Sequence, residues 1–228
     1  MRAVAARLGI GLNSARRDHP RQTPPQSRRA TVTTDSHPTA SPSSLPLASP
    51  WVLRFAPLVA AGGSVLDLAC GSGRHLRLFH QRRHPVVGVD RDLGGVADLD
   101  GTDGVTLVQA DLEGGADLED GGPWPLPPGQ PFAGIVVTNY LHRPLFPALL
   151  DALAPGGVLI YETFAIGNAR FGRPSSPAFL LREGELLDLT RDRLRVVAFE
   201  QGEVAVPKPA VVQRICAVNG AGEPQRLD

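Results

Sequence analysis

The residues from 64 to 74 combine a carboxylate with two closely spaced glycines. They read Ser-Val-Leu-Asp-Leu-Ala-Cys-Gly-Ser-Gly-Arg, an apolar run too short for a helix followed by a glycine pair, which predicts a buried strand, a tight turn and a helix N-terminus. Because glycine has no Cβ and tolerates positive φ, such a turn brings backbone N–H groups close to a ligand. The stretch therefore predicts a site for a nucleotide-type ligand.

Two details of this turn separate the kinds of ligand that such a site can hold. A dinucleotide fingerprint requires a third glycine three residues after the second, and Leu76 occupies that position here. Asp67 lies on the predicted strand, four residues before Gly71, where its carboxylate would repel phosphates but can meet a cationic amine. An NAD-dependent oxidoreductase is therefore disfavoured.

The spacing Asp67-x-Ala69-x-Gly71-x-Gly73 resembles motif I of the class I S-adenosylmethionine-dependent methyltransferases. Ala69 stands where that motif usually has its first glycine. The resemblance implies that these four residues bind S-adenosylmethionine as the cofactor.

Two further acids end predicted strands downstream of the glycine turn. Asp90 follows the strand predicted over residues 85–89, where a carboxylate can accept hydrogen bonds from both ribose hydroxyls. Asp111 and Leu112 close the strand predicted over residues 105–110. In the resembled family an acid at this point binds the adenine amino group and the next residue's backbone reads a ring nitrogen. The alternative for Asp111 is a strand-end acid that starts a turn.

The segment before the glycine turn contributes another candidate. Trp51 and Phe55 recur at helical spacing, Ser49 is a candidate N-cap, and glycines at 62 and 63 stop the helix. In methyltransferases that look like this the preceding segment lies over the cofactor, so Arg54 is a candidate partner of the methionine carboxylate, with a surface arginine as the alternative. Asn139, which follows a later strand, is a further candidate cofactor contact.

Proton-handling side chains follow the fourth predicted strand, residues 132–138, and lie near the end of the fifth, residues 157–163. Ligands of open α/β sheets bind beyond the carboxyl ends of the strands. Methyl transfer from a sulfonium is an in-line displacement, so the enzyme mainly aligns the reactants, and a base helps only acceptors that must lose a proton. Three candidate bases and one candidate anion-binding arginine arise here, with capping and surface roles as alternatives: His142, Tyr161, Glu162 and Arg143.

The predicted elements form a Rossmann-like α/β fold. Strands alternate with helices, including helices predicted over residues 144–153 and 179–189, and the strands near 195–200 and 211–218 predict a terminal hairpin. We expect a doubly wound, seven-stranded, mostly parallel sheet with an antiparallel hairpin at its edge. Residues 161–186 are also similar to bacterial methyltransferases grouped with tellurite-resistance and thiopurine-type enzymes, which act on small molecules.

The first 47 residues differ in composition from the rest of the chain. They hold seven arginines and two acids among many Ser, Thr and Pro residues, too little apolar surface to offset ordering entropy, so we expect a disordered tail. A solvated tail, a transit peptide and a basic RNA-binding arm are its three interpretations. We expect one domain over residues 48–220 and a frayed C-terminus over 221–228.

The charge, hydrophobicity and cysteine content of the chain disfavour several classes of function. The formal net charge is zero, so no overall field favours nucleic acid, and no apolar run approaches the roughly 20 residues that cross a bilayer. Cys70 and Cys216 are too few for a disulfide framework and lack the spacing of a metal site. We expect a cytoplasmic bacterial methyltransferase with a small-molecule acceptor and no metal. The alternatives are an RNA or protein methyltransferase that uses the basic tail, and a non-catalytic cofactor-binding module.

Overall fold

The computed structural model describes residues 47–114 and 124–221. The predicted tail, apart from Leu47, lies outside these residues, as do residues 222–228 of the predicted C-terminus and the middle of the loop before the fourth strand. No helix in the described part of the chain is long and apolar enough to span a membrane.

The strands of the described chain follow the predicted order. They are β1 (Val65–Leu68), β2 (Val86–Asp90), β3 (Val105–Gln109), β4 (Phe132–Thr138), β5 (Leu153–Phe164), β6 (Leu194–Val204) and β7 (Ala210–Asn219). They form one seven-stranded sheet in the order β3-β2-β1-β4-β5-β7-β6. The first five strands pair in parallel, and β7 pairs antiparallel with both β5 and β6. The predicted Rossmann-like sheet with its antiparallel hairpin is thus confirmed.

Short helices connect the strands. The α-helices are α1 (Pro50–Phe55), α2 (Arg74–Gln81), α3 (Phe146–Asp151) and α4 (Glu185–Thr190), and one-turn or two-turn 3₁₀ helices occupy Ala56–Leu58, Gly94–Leu99, Arg143–Leu145, Asn168–Arg170 and Pro177–Phe179. Ser49 caps α1 as predicted, because its side chain accepts a hydrogen bond from the Trp51 N–H.

The central strands are buried on both faces, as their nearly continuous apolar sequences predict. Leu66 and Ile135 point into one buried cluster, together with residues of α3 and α4. Val65 and Val136, their chain neighbours, point into a second cluster with residues of α1 and α2. This double burial fixes the register of the strands, so the residues that follow them are held at one edge of the sheet.

The prediction of a helix over residues 179–189 is wrong for the first half of this range. Leu180 and Leu181 are buried and extended, and Leu181 forms a bridge with Ala165. The helix begins only after Gly184, which adopts φ +67°. Burial of two consecutive leucines beside β5 therefore outweighs their helical spacing.

The fifth strand begins four residues earlier than predicted. Leu153 already pairs with Phe132, and the ladder shifts register before Val158 pairs with Gly134. The Pro-Gly-Gly sequence at residues 155–157 lies inside this irregular stretch, so it interrupts the strand pairing instead of separating a helix from a strand.

Candidate active site

The glycine turn between β1 and α2 is built from left-handed residues. Ala69, Gly71 and Gly73 have φ values of +56°, +53° and +70°. Ala69 thus adopts the conformation for which the resembled motif uses glycine, at a cost of about 1 kcal/mol. The Asp90 Oδ2 atom accepts a hydrogen bond of 2.8 Å from the Gly71 N–H, so the end of β2 fastens the turn.

Close backbone packing holds this turn from two sides. A Cβ on Gly73 would lie 2.4 Å from Val96 Cγ1, and a Cβ on Gly95 would lie 2.8 Å from the Gly71 carbonyl oxygen. The Gly94–Leu99 helix therefore lies directly against the turn. Sequence reasoning overlooked Gly95, although its position shortly after a strand-end acid is a usable signal.

Leu76 packs against a glycine on the neighbouring strand. A Cβ on Gly88 of β2 would lie 2.4 Å from Leu76 Cδ1. The close helix–strand approach that a dinucleotide fold obtains from a glycine on the helix is therefore obtained here from a glycine on the strand. Leu76 is fully compatible with the tight turn.

Asp67 lies beneath the turn and is buried. Its Oδ2 atom accepts a hydrogen bond of 3.1 Å from the Leu76 N–H, which satisfies one free donor in the first turn of α2. Burial raises the pKa of the Asp67 carboxyl from 3.8 to about 7, although this hydrogen bond and Arg74 act in the opposite direction. Its contact with a ligand amine stays a prediction.

A cavity of about 260 Å³ opens at the carboxyl ends of β1 to β4. Its lining comprises Ala69, Asp90, Arg91, Ala110, Asp111, Leu112, Glu113 and Tyr140. Four of these residues were predicted to bind the cofactor, namely Ala69, Asp90, Asp111 and Leu112. The other four were not, although each directly follows or precedes a predicted residue in the sequence.

Backbone donors orient the two predicted carboxylates of the cavity. The Asp90 Oδ1 atom accepts from the Asp92 N–H at 3.1 Å, and the Asp111 Oδ1 atom accepts from the Glu113 N–H at 3.0 Å. Asp111 therefore does form the local turn that was its alternative interpretation. Since each carboxylate oxygen can accept more than one hydrogen bond, both acids can still receive hydroxyl or amino donors from a ligand.

Tyr140 contributes an unpaired donor to this cavity. Its hydroxyl oxygen is buried and has no hydrogen-bond partner among the described residues. Burial, with Glu113, Asp111 and Asp90 nearby, raises the pKa of the phenol above its ordinary value. Because a buried unpaired donor costs about 1–3 kcal/mol, a ligand atom that accepts this hydrogen bond would be bound favourably. The cavity thus fits a polar ligand rich in hydroxyl and amino groups.

Glu162, at the end of β5, is engaged on both carboxylate oxygens. Ser49 Oγ donates to Oε1 at 2.9 Å, and Arg214 Nε lies 2.7 Å from Oε2. The Ser49 N–H also donates to His75 Nε2 at 3.1 Å. These contacts fasten the start of α1 onto the sheet edge, so the geometry favours a positioning role for Glu162 over a basic one.

Arg143 makes several hydrogen bonds within the protein. Arg143 donates from Nε and Nη2 to the two oxygens of Glu185 at 2.6 and 2.9 Å. It also donates to two backbone carbonyls, those of Ala178 and Leu180. Burial alone would raise the pKa of Glu185, but its hydrogen bonds from Arg143 and from the backbone of residue 182 lower it to about 2. Most guanidinium donors are therefore used within the protein, which disfavours the predicted anion-binding role.

Tyr161 lies on β5 and is fully buried. Its hydroxyl donates to the Tyr140 carbonyl oxygen at 2.9 Å, and burial raises its pKa above the ordinary value. It supports the backbone of the cavity residue Tyr140, and its burial separates it from any acceptor in solution.

The remaining three predicted residues also lie outside the cavity lining. Arg54 is half exposed, with Nη1 3.7 Å from Glu200 Oε1. Asn139 is exposed and left-handed, with φ +57°. His142 is partly exposed in extended backbone at the start of a 3₁₀ turn. Within the described residues no group of His, Cys, Asp and Glu side chains forms a candidate metal site.

Comparison with known proteins decides the family. The family model described as a methyltransferase domain matches residues 45–195. The chain belongs to this methyltransferase family. A search of curated proteins gives no significant match.

Solved structures share the methyltransferase fold at low sequence identity. TehB from Haemophilus influenzae has a TM-score of 0.58 and 17% identity over 74% of this chain and 61% of TehB, so the chain spans less than two thirds of that protein. An S-adenosylmethionine-dependent methyltransferase from Mesorhizobium loti has a TM-score of 0.54 and 19% identity over 75% of this chain and 98% of its own. The third is the 1,6-didemethyltoxoflavin-N1-methyltransferase of Burkholderia thailandensis, solved with S-adenosylhomocysteine. It has a TM-score of 0.52 and 19% identity over 75% of this chain and 76% of its own. The chain therefore shares the fold of S-adenosylmethionine-dependent methyltransferases of class I, as the resemblance implied.

Proposed function

We propose that this methyltransferase binds the adenosine part of S-adenosylmethionine in the β1–β4 cavity and methylates a small-molecule acceptor. One observation carries the cofactor assignment: the cavity combines two oriented carboxylates, Asp90 and Asp111, with the buried hydroxyl of Tyr140, which is unpaired among the described residues. Such a set matches the ribose hydroxyls and the amino and ring nitrogens of adenosine, and it contains no phosphate-binding cluster.

Each cavity residue has a definable part in holding the cofactor. Asp90 lies at the end of β2 and fastens the glycine turn, so it is the ribose-binding candidate. Asp111 and the backbone of Leu112 are the adenine-binding candidates. Ala69 and Gly71 bring the backbone close to the ligand, because their left-handed conformations fold the chain tightly there.

Bound S-adenosylmethionine supplies an electrophilic methyl group on a sulfonium. The chain's own task is to hold the acceptor in line and exclude water. Of the four predicted catalytic side chains, His142 alone makes no internal hydrogen bond or ion pair among the described residues and stays partly exposed. His142 is therefore the side chain best available to take a proton from an acceptor that must lose one.

A small-molecule acceptor is favoured by the charge balance of the chain. The full chain has a formal net charge of zero, which gives no overall attraction for nucleic acid. The structural neighbours include enzymes whose names specify didemethyltoxoflavin and a glycopeptide as substrates. Arg54, Asp67, Gly73 and Asn139 stay candidate cofactor contacts in this proposal.

Isotopic labelling tests the proposal. The purified full chain is incubated with methyl-labelled S-adenosylmethionine and a cell extract separated into metabolites, RNA and protein. We expect label in the metabolite fraction, and its loss with Asp90→Ala. Label found only in RNA or protein would show that the acceptor is a macromolecule and not a small molecule. If no methyl group is transferred although the cofactor still binds, the chain would be a non-catalytic cofactor-binding module.

A further inference from the structure

The loop between β5 and α4 displays apolar side chains to solvent. This loop, residues 165–182, contains three of the exposed large apolar residues of the described chain: Ile166, Phe171 and Phe179 are 52%, 39% and 46% exposed. These three side chains are therefore available to contact a ligand or a partner.

Polar contacts give the loop a defined conformation. Asn168 is buried; its Nδ2 donates to the Pro174 carbonyl at 3.0 Å, and its Oδ1 accepts from the Val211 N–H of β7 at 3.2 Å. The two ends meet where the Ile166 N–H donates to the Leu181 carbonyl at 2.9 Å. The loop is therefore ordered, and it buries Leu180 and Leu181 while it leaves the three apolar side chains named above exposed.

A cationic neighbour holds the ring of Phe171. The Arg170 guanidinium carbon lies 4.7 Å from the ring centroid, and Arg170 is itself paired with Glu203 of β6. A cation over one ring face fixes the orientation of the ring. Phe171 is thus pre-positioned while still exposed, which lowers the entropic cost of packing a ligand against it.

The same loop is fastened beside the proposed active site. Arg143 donates to the carbonyls of Ala178 and Leu180, and it follows the cavity residue Tyr140 by three positions. The returning half of the loop is thereby tied to the segment that carries His142. Because ligands of this fold lie beyond the strand ends, the loop borders the acceptor side of the site.

All the charged residues of the loop are basic. Residues 165–182 contain three arginines, at positions 170, 173 and 182, and no acid. Arg173 is exposed and has no ion pair or hydrogen bond from its side chain among the described residues. An unpaired guanidinium beside apolar side chains suits a ligand that joins an apolar body to a carboxylate or sulfonate.

We propose that the β5–α4 loop binds acceptors that combine an aromatic or alicyclic body with an anionic group. Phe171 contacts the apolar body and Arg173 contacts the anion. This inference rests on the proposed small-molecule function and specifies its substrate class.

Binding of 1-anilinonaphthalene-8-sulfonate tests the loop without requiring turnover. This aromatic sulfonate fluoresces when it binds apolar surface, and the full chain is titrated with it in the presence of saturating S-adenosylhomocysteine. We expect Phe171→Ser and Arg173→Gln each to weaken binding by about fivefold or more, and Arg173→Lys to restore part of it. The Arg173→Gln effect should shrink at high salt.

Two exposed positions elsewhere provide matched controls. Val206→Ser removes an apolar side chain that is 78% exposed, and Arg82→Gln removes an exposed arginine at the end of α2; both should leave binding unchanged. Equal effects of control and loop variants, or no binding by the unmodified protein, would overturn the loop proposal. Calorimetric binding of S-adenosylhomocysteine is measured on the same samples, so failure of the cofactor site is distinguished from failure of the loop.

Discussion

The buried carboxyl of Asp67 gives the most quantitative prediction for this methyltransferase. Burial raises its pKa from 3.8 to about 7, so the folded state favours the protonated form. A raised carboxyl pKa contributes stability that is complete below the unfolded value and is lost as pH rises through the folded value. At about 1.36 kcal/mol per unit of pKa shift, ionised Asp67 lowers the free energy of unfolding by on the order of 4 kcal/mol at pH 8.

Asp67→Asn removes this ionisation while keeping an oxygen that can accept the Leu76 N–H. Between pH 5 and pH 8 the unmodified protein should lose about 3 kcal/mol of stability more than the variant loses. Urea unfolding of both proteins across this range measures the difference. Parallel stability curves for the two proteins would refute the burial argument.

The same variant tests whether Asp67 meets a ligand amine. If the ammonium group of the cofactor lies against Asp67, binding requires the ionised carboxylate, so affinity should rise by about tenfold per pH unit up to about pH 7. Calorimetric titration with S-adenosylhomocysteine between pH 5.5 and 7.5 measures this slope. A slope that persists in Asp67→Asn would assign the proton to another group.

The turn and its cavity give three further predictions. Ala69→Gly should raise the free energy of unfolding by about 1 kcal/mol in denaturant titrations, because it relieves a left-handed alanine at φ +56°; a loss of stability would show that the methyl packing outweighs the strain. Gly73→Ala should cost about 2–4 kcal/mol, since its Cβ would meet Val96 at 2.4 Å, and an unchanged urea midpoint would contradict this. Tyr140→Phe should keep or slightly raise stability while weakening the binding of S-adenosylhomocysteine by about fivefold to tenfold, because the hydroxyl has no hydrogen-bond partner among the described residues; unchanged affinity would remove this hydroxyl from the site.

The fold was predictable because its central strands carry unambiguous signals. The apolar runs of β1 and β4 locate the sheet, and the acids at the end of β2 and just after β3 locate its functional edge. Residues 179–189 were mispredicted because two buried leucines pair beside β5, a tertiary contact that helical spacing cannot reveal. Local pattern was sufficient wherever both faces of a strand are buried.

The cavity was more predictable than the catalytic candidates. Asp90 is the last residue of β2, and Asp111 and Leu112 come shortly after β3, so the topology alone brings them together. Arg143 and Glu162 also follow or end strands, but their partners Glu185 and Arg214 lie 42 and 52 residues further along the chain. Whether a strand-end side chain faces a ligand or an internal partner is decided by such distant contacts.

Titration of S-adenosylhomocysteine into the unmodified protein and Asp90→Ala tests the central claim most directly. The full chain should bind one equivalent, and Asp90→Ala should bind about 10- to 100-fold more weakly, from the loss of charge-assisted hydrogen bonds to the ribose. Asp100→Ala, which removes an exposed carboxylate outside the cavity lining, should bind normally. No binding by the unmodified protein, or equal affinity in folded Asp90→Ala, would contradict the assignment of this cavity to the cofactor.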